Sequence, residues 1–207
     1  YSNYLFFLPN TREKKFMIIS IKSILCGEGA VGKTTIRRRY MGQTLNSRYL
    51  PTIGAEISIN QFKLQYKNDF YNVKIQIWDL AGQQTFKSVR PLYFNGAQAI
   101  FLVYDLTNTD SFIKLDEWIT NIATYVKLGR VPIILIGNKA DLRKNSKTWV
   151  EKDQANDFAK RLTERYTNSK WEVPVLETSA INGENIKEMF EEVAKLVVNI
   201  NKEEEIH

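Results

Sequence analysis

The chain has 207 residues, with 29 Lys and Arg against 23 Asp and Glu, which gives a net charge of +6 at pH 7. Its basic residues are scattered rather than clustered, so we expect a solvated surface around an anion-binding site and no nucleic-acid interface. The only histidine is His207 and the only cysteine is Cys26. This composition argues against histidine catalysis and excludes an intrachain disulfide. No apolar run approaches the roughly 20 residues that a membrane-spanning helix needs.

The chain is expected to form one domain with a short segment at each end. Residues 1–15 are apolar over 4–8 and then basic at Arg12, Lys14 and Lys15. This N-terminal extension either packs on the domain's own surface or contacts an anionic membrane surface. The domain itself is predicted over 16–200, and 201–207 is an acidic tail that we expect to fray. Cysteine usage favours a cytoplasmic location, with peripheral membrane contact left open.

Hydrophobic periodicity predicts strands that alternate with helices. Continuous or alternating apolar runs predict strands over 16–26, 56–64, 73–78, 99–104, 131–137 and 173–177. Helical spacing is found over 33–42, 111–127, 150–166 and 185–199. A turn at 67–69 joins the second and third strands into a hairpin. The fold class is therefore α/β, a mostly parallel six-stranded sheet with one antiparallel edge hairpin strand and helices on both faces.

The loop between the first strand and the first helix has the pattern G-x-x-x-x-G-K-[ST] over residues 27–34. Glycines let the backbone N–H groups of such a loop point at an anion, and the following helix N-terminus adds its positive dipole end. Lys33 would reach the outer phosphates of a nucleotide, and the Thr34 hydroxyl would bind Mg²⁺. The predicted nucleotide-binding residues here are Gly27, Glu28, Gly29, Ala30, Val31, Gly32, Lys33, Thr34 and Thr35.

Further metal and phosphate ligands are predicted in two other loops. Asp79 follows the third strand, at the sheet edge where open α/β sheets bind their ligands, and its carboxylate can hold Mg²⁺. Thr52 stands in a polar loop and can supply a second hydroxyl to the metal. The predicted metal ligands are therefore Thr34, Thr52 and Asp79. Gly82 allows the backbone to come close to a terminal phosphate.

Two stretches after the fifth and sixth strands predict recognition of a base. Asp141 in Asn-Lys-Ala-Asp over 138–141 can accept hydrogen bonds from a ring N–H and an exocyclic NH₂ on one edge, which guanine offers and adenine does not. Asn138 can serve the other edge of the base. The Thr-Ser-Ala stretch over 178–180 can offer a backbone N–H to the guanine carbonyl. These residues favour guanine over adenine.

Together these motifs resemble the small GTPases of the Ras superfamily over about residues 16–200. Ile-Gly-Ala-Glu-Ile at 53–57 and Ile-Gln-Ile-Trp-Asp at 75–79 look most like the Rab branch, as do 102–107 and 177–180. The resemblance implies a P-loop NTPase with the small G domain fold. It implies a switch that binds GTP or GDP with Mg²⁺ and slowly hydrolyses GTP, and it points to membrane trafficking.

The resemblance also assigns roles to particular residues. Gln83 would orient the attacking water, with Lys33 and Thr52 as the other catalytic residues. Around the base, it implies contacts from Asn138, Lys139, Asp141, Ser179, Ala180 and Ile181. Effectors, exchange factors and activating proteins would bind the switch loops and the apolar triad of Ile57, Trp78 and Tyr93. Trp78 fits a core position equally well.

The chain departs from the Rab pattern at several positions. Rab proteins usually end in prenylated cysteines, and with Cys26 alone we expect no such anchor. Leu45 stands where the family mostly places an aromatic over the guanine face, and Ile181 replaces a lysine, so nucleotide exchange is expected to be faster. Gln84 and Thr85 replace a Glu-Arg pair, which puts the usual Rab regulators in doubt.

Two other functions compete with a hydrolysing switch. A GTP-binding interaction module without turnover is disfavoured because Gly29, Thr52 and Gln83 are intact. A P-loop ATPase or nucleotide kinase is disfavoured by Asn138 and Asp141. Arg48 precedes Thr52 and could act as an arginine finger within the chain, although a solvated surface arginine is the favoured interpretation.

Overall fold

The computed structural model describes residues 16–45, 51–82, 88–167 and 169–205. Within these ranges the chain forms six strands, six α-helices and two short 3₁₀ helices. In chain order they are β1 Phe16–Cys26, α1 Lys33–Tyr40, β2 Ala55–Tyr66, β3 Asp69–Leu80, α2 Arg90–Phe94, β4 Ala99–Asp105, α3 Thr109–Ile113, α4 Leu115–Ala123, 3₁₀ Leu128–Arg130, β5 Ile133–Asn138, 3₁₀ Ala140–Asn145, α5 Lys152–Tyr166, β6 Val175–Thr178 and α6 Ile186–Glu205.

The strands form one sheet in the order β2-β3-β1-β4-β5-β6. Only β2 runs antiparallel to its neighbour, and it lies at the edge beside β3. The remaining neighbours are parallel. The predicted α/β class, with six strands and one antiparallel edge strand, is confirmed.

Both faces of the sheet are buried, which explains why β4 and β5 lack polar alternation. In β4, Ile100 and Leu102 pack with α4 and α5, including Trp118. The intervening Phe101 faces the other side and meets Phe190 of α6 at a ring-centroid distance of 5.2 Å. Successive side chains point to opposite faces, so a strand covered on both sides must be apolar throughout.

Helix boundaries differ from the predictions in three places. The helix predicted over 111–127 is divided into α3 and α4 at Lys114. The five-residue α2 was not predicted, because so short a helix gives no readable period. The last helix runs to Glu205, beyond the predicted end at 199 and into the predicted tail. No helix among the described residues combines the length and apolarity needed to cross a membrane.

The extended end of α6 contacts the turn of the β2–β3 hairpin. Lys202 pairs with Asp69, and Asn199 Nδ2 donates to the Tyr66 hydroxyl at 2.8 Å. Lys67 Nζ donates back to Asn199 Oδ1 at 3.1 Å. These contacts hold the last turns of α6 in a helix that the charged sequence alone did not predict.

Candidate functional site

The described site residues lie at the sheet edge formed by the carboxyl ends of the parallel strands, and the loop over 27–32 joins β1 to α1. Gly27 has φ 142°, and a Cβ there would lie 2.0 Å from the Val103 carbonyl oxygen. Gly32 has φ 99°, and its Cβ would lie 2.2 Å from Asn138 Nδ2. Both positions therefore require glycine, because no side chain has room. This close packing keeps the loop backbone tight.

Lys33 folds back over this loop. Its ammonium donates to the carbonyl oxygens of Gly27 and Glu28, each at 2.7 Å, and the residue is 6% exposed. The positive charge is thereby held at the loop, where a phosphate would need it. The Glu28 side chain points elsewhere: its carboxylate accepts from Trp118 Nε1 at 3.0 Å and Lys114 Nζ at 3.1 Å. Glu28 thus anchors the loop to α4 through its side chain.

Thr34, Thr52 and Asp79 are brought together as the sequence predicted. The Thr34 hydroxyl donates to Asp79 Oδ2 at 2.5 Å and lies 2.9 Å from the Thr52 hydroxyl. Asp79 is fully buried, and among the described residues its Oδ1 has no hydrogen-bond partner. Hard divalent cations such as Mg²⁺ prefer oxygen ligands of this kind. The donor set and the unsatisfied buried oxygen fit a Mg²⁺ site.

The shifted pKa of Asp79 also fits a cation at this position. Burial raises the pKa of its carboxyl above the ordinary value, because desolvation disfavours the charged form. The hydrogen bond from Thr34 and the positive charges of Lys33 and Arg37 act in the opposite direction. A cation at this position would supply the charge that a buried carboxylate needs.

Gly82 lies against the phosphate-loop backbone. A Cβ on it would come within 2.4 Å of the Glu28 carbonyl carbon and of the Gly29 nitrogen. No other residue fits there, so packing against the phosphate loop requires glycine at this position; the predicted approach of Gly82 to a terminal phosphate stays a prediction. The next residue, Gln83, lies outside the described residues, and so does Arg48.

The base-recognition loops are joined through Asn138, which is 1% exposed. Its Nδ2 donates to the Val31 carbonyl at 2.9 Å. Its Oδ1 accepts from the Thr178 hydroxyl and the Ala180 N–H, each at 3.2 Å. The sequence predicted that Asn138 contacts the base and that a backbone N–H of residues 178–180 donates a hydrogen bond to the guanine carbonyl. Here the Asn138 amide is bonded to protein groups, which gives it a positioning role.

Asp141 and Lys139 border the same loops. Asp141 is half-buried, and its carboxylate accepts from the Ser179 hydroxyl. Lys139 has φ 70°, and its ammonium pairs with Asp105 at 2.7 Å. Ile181 is 58% exposed, so it is available to cover an apolar ring.

Sequence reasoning missed two arginines that support these loops. Arg39 of α1 donates from Nε to the Ala180 carbonyl at 2.9 Å and from its guanidinium to the Ile181 carbonyl. Arg143 pairs with Glu177 at 2.6 Å and so links the two base-recognition loops. Three consecutive arginines over 37–39 look like a solvated basic face, and no periodic signal separates the buried ones.

The predicted partner triad is only partly exposed. Ile57 is 51% exposed and pairs in register with Trp78 across the hairpin. Trp78 is half-buried beside Tyr93, with ring centroids 6.2 Å apart. Lys22 Nζ lies 4.1 Å from the centroid of the Trp78 ring. Trp78 therefore packs on the core through part of its surface and is accessible through the rest.

This arrangement is that of an α/β domain whose glycine loop and cluster of oxygen donors at the strand ends fit a phosphate and Mg²⁺. The model of the Ras family matches residues 22–199. The chain is similar to GTP-binding protein ypt1 of Schizosaccharomyces pombe, 37% identical over 82% of this chain and 75% of the relative. It is also similar to Ras-related protein Rab-1D of Dictyostelium discoideum, 35% identical over 86% of this chain and 79% of the relative.

The chain therefore belongs to the Ras family of small GTPases, close to the Rab branch. Its activity is hydrolysis of GTP, and its family acts as molecular switches that bind guanine nucleotides, regulators and effectors.

One backbone feature of the site can be tested directly. Ala30 has φ 61°, a left-handed conformation that costs a residue with a Cβ roughly 1–2 kcal/mol. We predict that Ala30→Gly raises the free energy of unfolding by about 0.5–1 kcal/mol, after allowing for glycine's greater entropy in the unfolded chain. Urea denaturation with excess GDP and Mg²⁺ measures the change. Ala159→Gly within α5 is the matched control, and we expect it to destabilise by about 1 kcal/mol or more. Equal losses in both variants would contradict the strain at Ala30.

Proposed function

We propose that this GTPase binds GTP and GDP with Mg²⁺ at the strand-end site described above. The observation that carries the proposal is the cluster of Thr34, Thr52 and Asp79 oxygens beside the unsatisfied Asp79 Oδ1. The proposed metal ligands are these three residues. The proposed nucleotide-binding residues are Gly27, Glu28, Gly29, Ala30, Val31, Gly32, Lys33, Thr34, Thr35, Thr52, Gly82, Asn138, Lys139, Asp141, Ser179, Ala180 and Ile181.

Hydrolysis asks the protein mainly to position water and to stabilise charge that develops on the phosphoryl oxygens. Thr34, Thr52 and Asp79 would hold Mg²⁺ beside the outer phosphates, where its positive charge would neutralise part of the charge that develops. Lys33 and the loop N–H groups supply the rest of the positive field. Gln83 carries a donor and an acceptor on one amide, which suits it to orient the attacking water. The catalytic residues we propose are Gln83, Lys33 and Thr52.

Switching follows from the same contacts. Thr52 and Gly82 lie on separate loops, yet one contacts the Thr34 hydroxyl and the other packs against the phosphate loop. Loss of the γ-phosphate would remove the ligand that both loops share and release them. Effectors would then distinguish the two nucleotide states by the position of these loops.

Partners are proposed to bind beside the switch loops, at Ile57, Trp78 and Tyr93. An exposed Ile57 next to a half-buried Trp78 supports this surface, since aromatic residues carry disproportionate binding energy in interfaces. We also propose that the protein acts in the cytoplasm in membrane trafficking, as its Rab likeness suggests. Peripheral membrane contact would run through residues 1–15, which lie outside the described residues.

Guanine specificity is tested by Asp141→Asn. Losing a charged acceptor should weaken GTP binding by at least about 10²-fold. Xanthosine triphosphate should bind better, because its carbonyl can pair with the new amide. Fluorescent-nucleotide competition measures both affinities, with the exposed Asp116→Asn as a matched control. Full GTP affinity in Asp141→Asn would remove this residue from the base.

Hydrolysis is tested by Gln83→Leu. We expect it to keep GTP binding and to slow single-turnover phosphate release at least about tenfold, because the water loses its orienting amide. Wild-type protein should release phosphate from GTP and not from ATP. Gln61→Leu on the exposed side of β2 is the control.

The intrinsic rate should be slow, with an activating partner's arginine adding about 10³–10⁵-fold. If Gln83→Leu hydrolysed GTP normally while Arg48→Ala abolished turnover, a self-contained mechanism would replace the one proposed.

Partner binding is tested by Trp78→Ala in the GTP-bound state. Proteins retained by the wild type in a GTP-dependent pull-down should be lost, because the anchor residue of the surface is gone. Trp149→Ala is the control, since Trp149 is 37% exposed and lies outside the triad. An unchanged set of partners would show that Trp78 serves the core alone.

A further inference from the structure

A buried arginine lies next to the proposed metal ligands. Arg37 is 2% exposed and lies on α1, one turn after Thr34. Its Nη1 donates to the Ser58 hydroxyl at 2.7 Å, and its Nη2 lies 2.6 Å from Glu56 Oε1. Both partners are on β2, which begins shortly after Thr52. The guanidinium therefore connects α1 to the strand that leads out of the Thr52 loop.

The same side chain approaches Asp79. Arg37 Nε lies 3.9 Å from Asp79 Oδ2, the oxygen that accepts from the Thr34 hydroxyl. Asp79 is fully buried, so the pair interacts where water screens little. Glu56 is closer to the guanidinium but is half exposed, so solvent screens part of that interaction.

Filling this buried space with a guanidinium costs desolvation free energy. Burying a charge carries a large desolvation penalty, and an apolar side chain of similar volume is often at least as stabilising. Arg37 is compensated by the acidic groups around it, and one of them is the carboxylate assigned above to the metal. Its charge therefore acts on the metal site, whatever it adds to packing.

We propose that Arg37 is a resident counter-cation of the Mg²⁺ site, an inference that rests on the proposed metal ligands. Without Mg²⁺, Arg37 partly neutralises Asp79 and holds β2 against α1, so the site stays assembled. With Mg²⁺ present, the guanidinium repels the divalent ion and weakens its binding. Arg37 is thus a positioning residue that sets how much free Mg²⁺ the protein needs to retain its nucleotide.

The test measures release of fluorescent GDP over a range of buffered free Mg²⁺ concentrations. Arg37→Met keeps an unbranched chain and removes the charge, and we expect it to lower the half-saturating Mg²⁺ concentration about threefold to tenfold. Arg37→Lys should keep the wild-type value within about twofold. Arg38→Met, a neighbouring arginine outside the cluster, is the matched control and should also leave the value unchanged.

The outcomes separate the two proposals. If Mg²⁺ slows GDP release from the wild type but Arg37→Met leaves the half-saturating concentration unchanged or raises it, the counter-cation role is overturned and the metal site stands. If Mg²⁺ has no effect on release from the wild type, the metal site fails and the role of Arg37 fails with it. A merely structural arginine would change the release rate without lowering the Mg²⁺ requirement.

A second measurement does not depend on nucleotide release. Thermal unfolding in EDTA should show a larger loss of Tm for Arg37→Met than unfolding in excess Mg²⁺, because Asp79 then has neither Mg²⁺ nor the guanidinium and, among the described residues, keeps only the charge of Lys33 near it. In the Asp79→Asn background, Arg37→Met should lose little Tm, since the carboxylate charge is gone. If Arg37→Met alone fails to fold, the double variant should fold. If Arg37→Met lost as much Tm in the Asp79→Asn background as in the wild-type background, the proposal would be overturned.

Discussion

The amide of Asn138 holds the proposed site together, because it joins its own strand end to two stretches that are distant from it in sequence. Its Nδ2 meets the phosphate loop at Val31, and its Oδ1 meets the loop after β6 at Thr178 and Ala180. Leaving such a group unsatisfied in the interior would cost about 1–3 kcal/mol. The close packing of Gly32 against the same amide adds a steric condition. Phosphate and base recognition are therefore built on one rigid support.

The charged side chains of the proposed site differ in how they are paired and buried. Lys33 is bonded to carbonyls of the phosphate loop, whereas Asp79 is buried with one oxygen that has no hydrogen-bond partner in the part of the chain that the structure describes. Arg37 lies between Asp79 and the start of β2. The cationic side chains thus come from α1, and the acidic ones from the strands. The charged side chains that hold α1 against the strands therefore include one, Asp79, that a bound Mg²⁺ would contact.

The sheet could be predicted from the sequence because its strands are long, apolar and separated by clear turns. The metal and base loops could be predicted because their residue types follow strand ends at fixed spacing. The contacts of Arg37 and Arg39 could not be predicted, since a run of three arginines on a helix does not indicate which side chains turn inward. The division of the helix at Lys114 and the extension of α6 depend on tertiary contacts, such as Lys202 with Asp69, that periodicity does not contain.

The link between α6 and the hairpin turn has a mechanical consequence. The β2–β3 ladder is paired along its whole length, and a slip of one residue would reverse every side chain between core and solvent. Asn199 and Lys202 tie the turn of this ladder to α6, which packs against the inward-facing side chains of the same hairpin. Sliding the hairpin would require breaking that tie as well as the ladder. The hairpin is therefore held in register along its ladder and is also anchored to α6 at its turn.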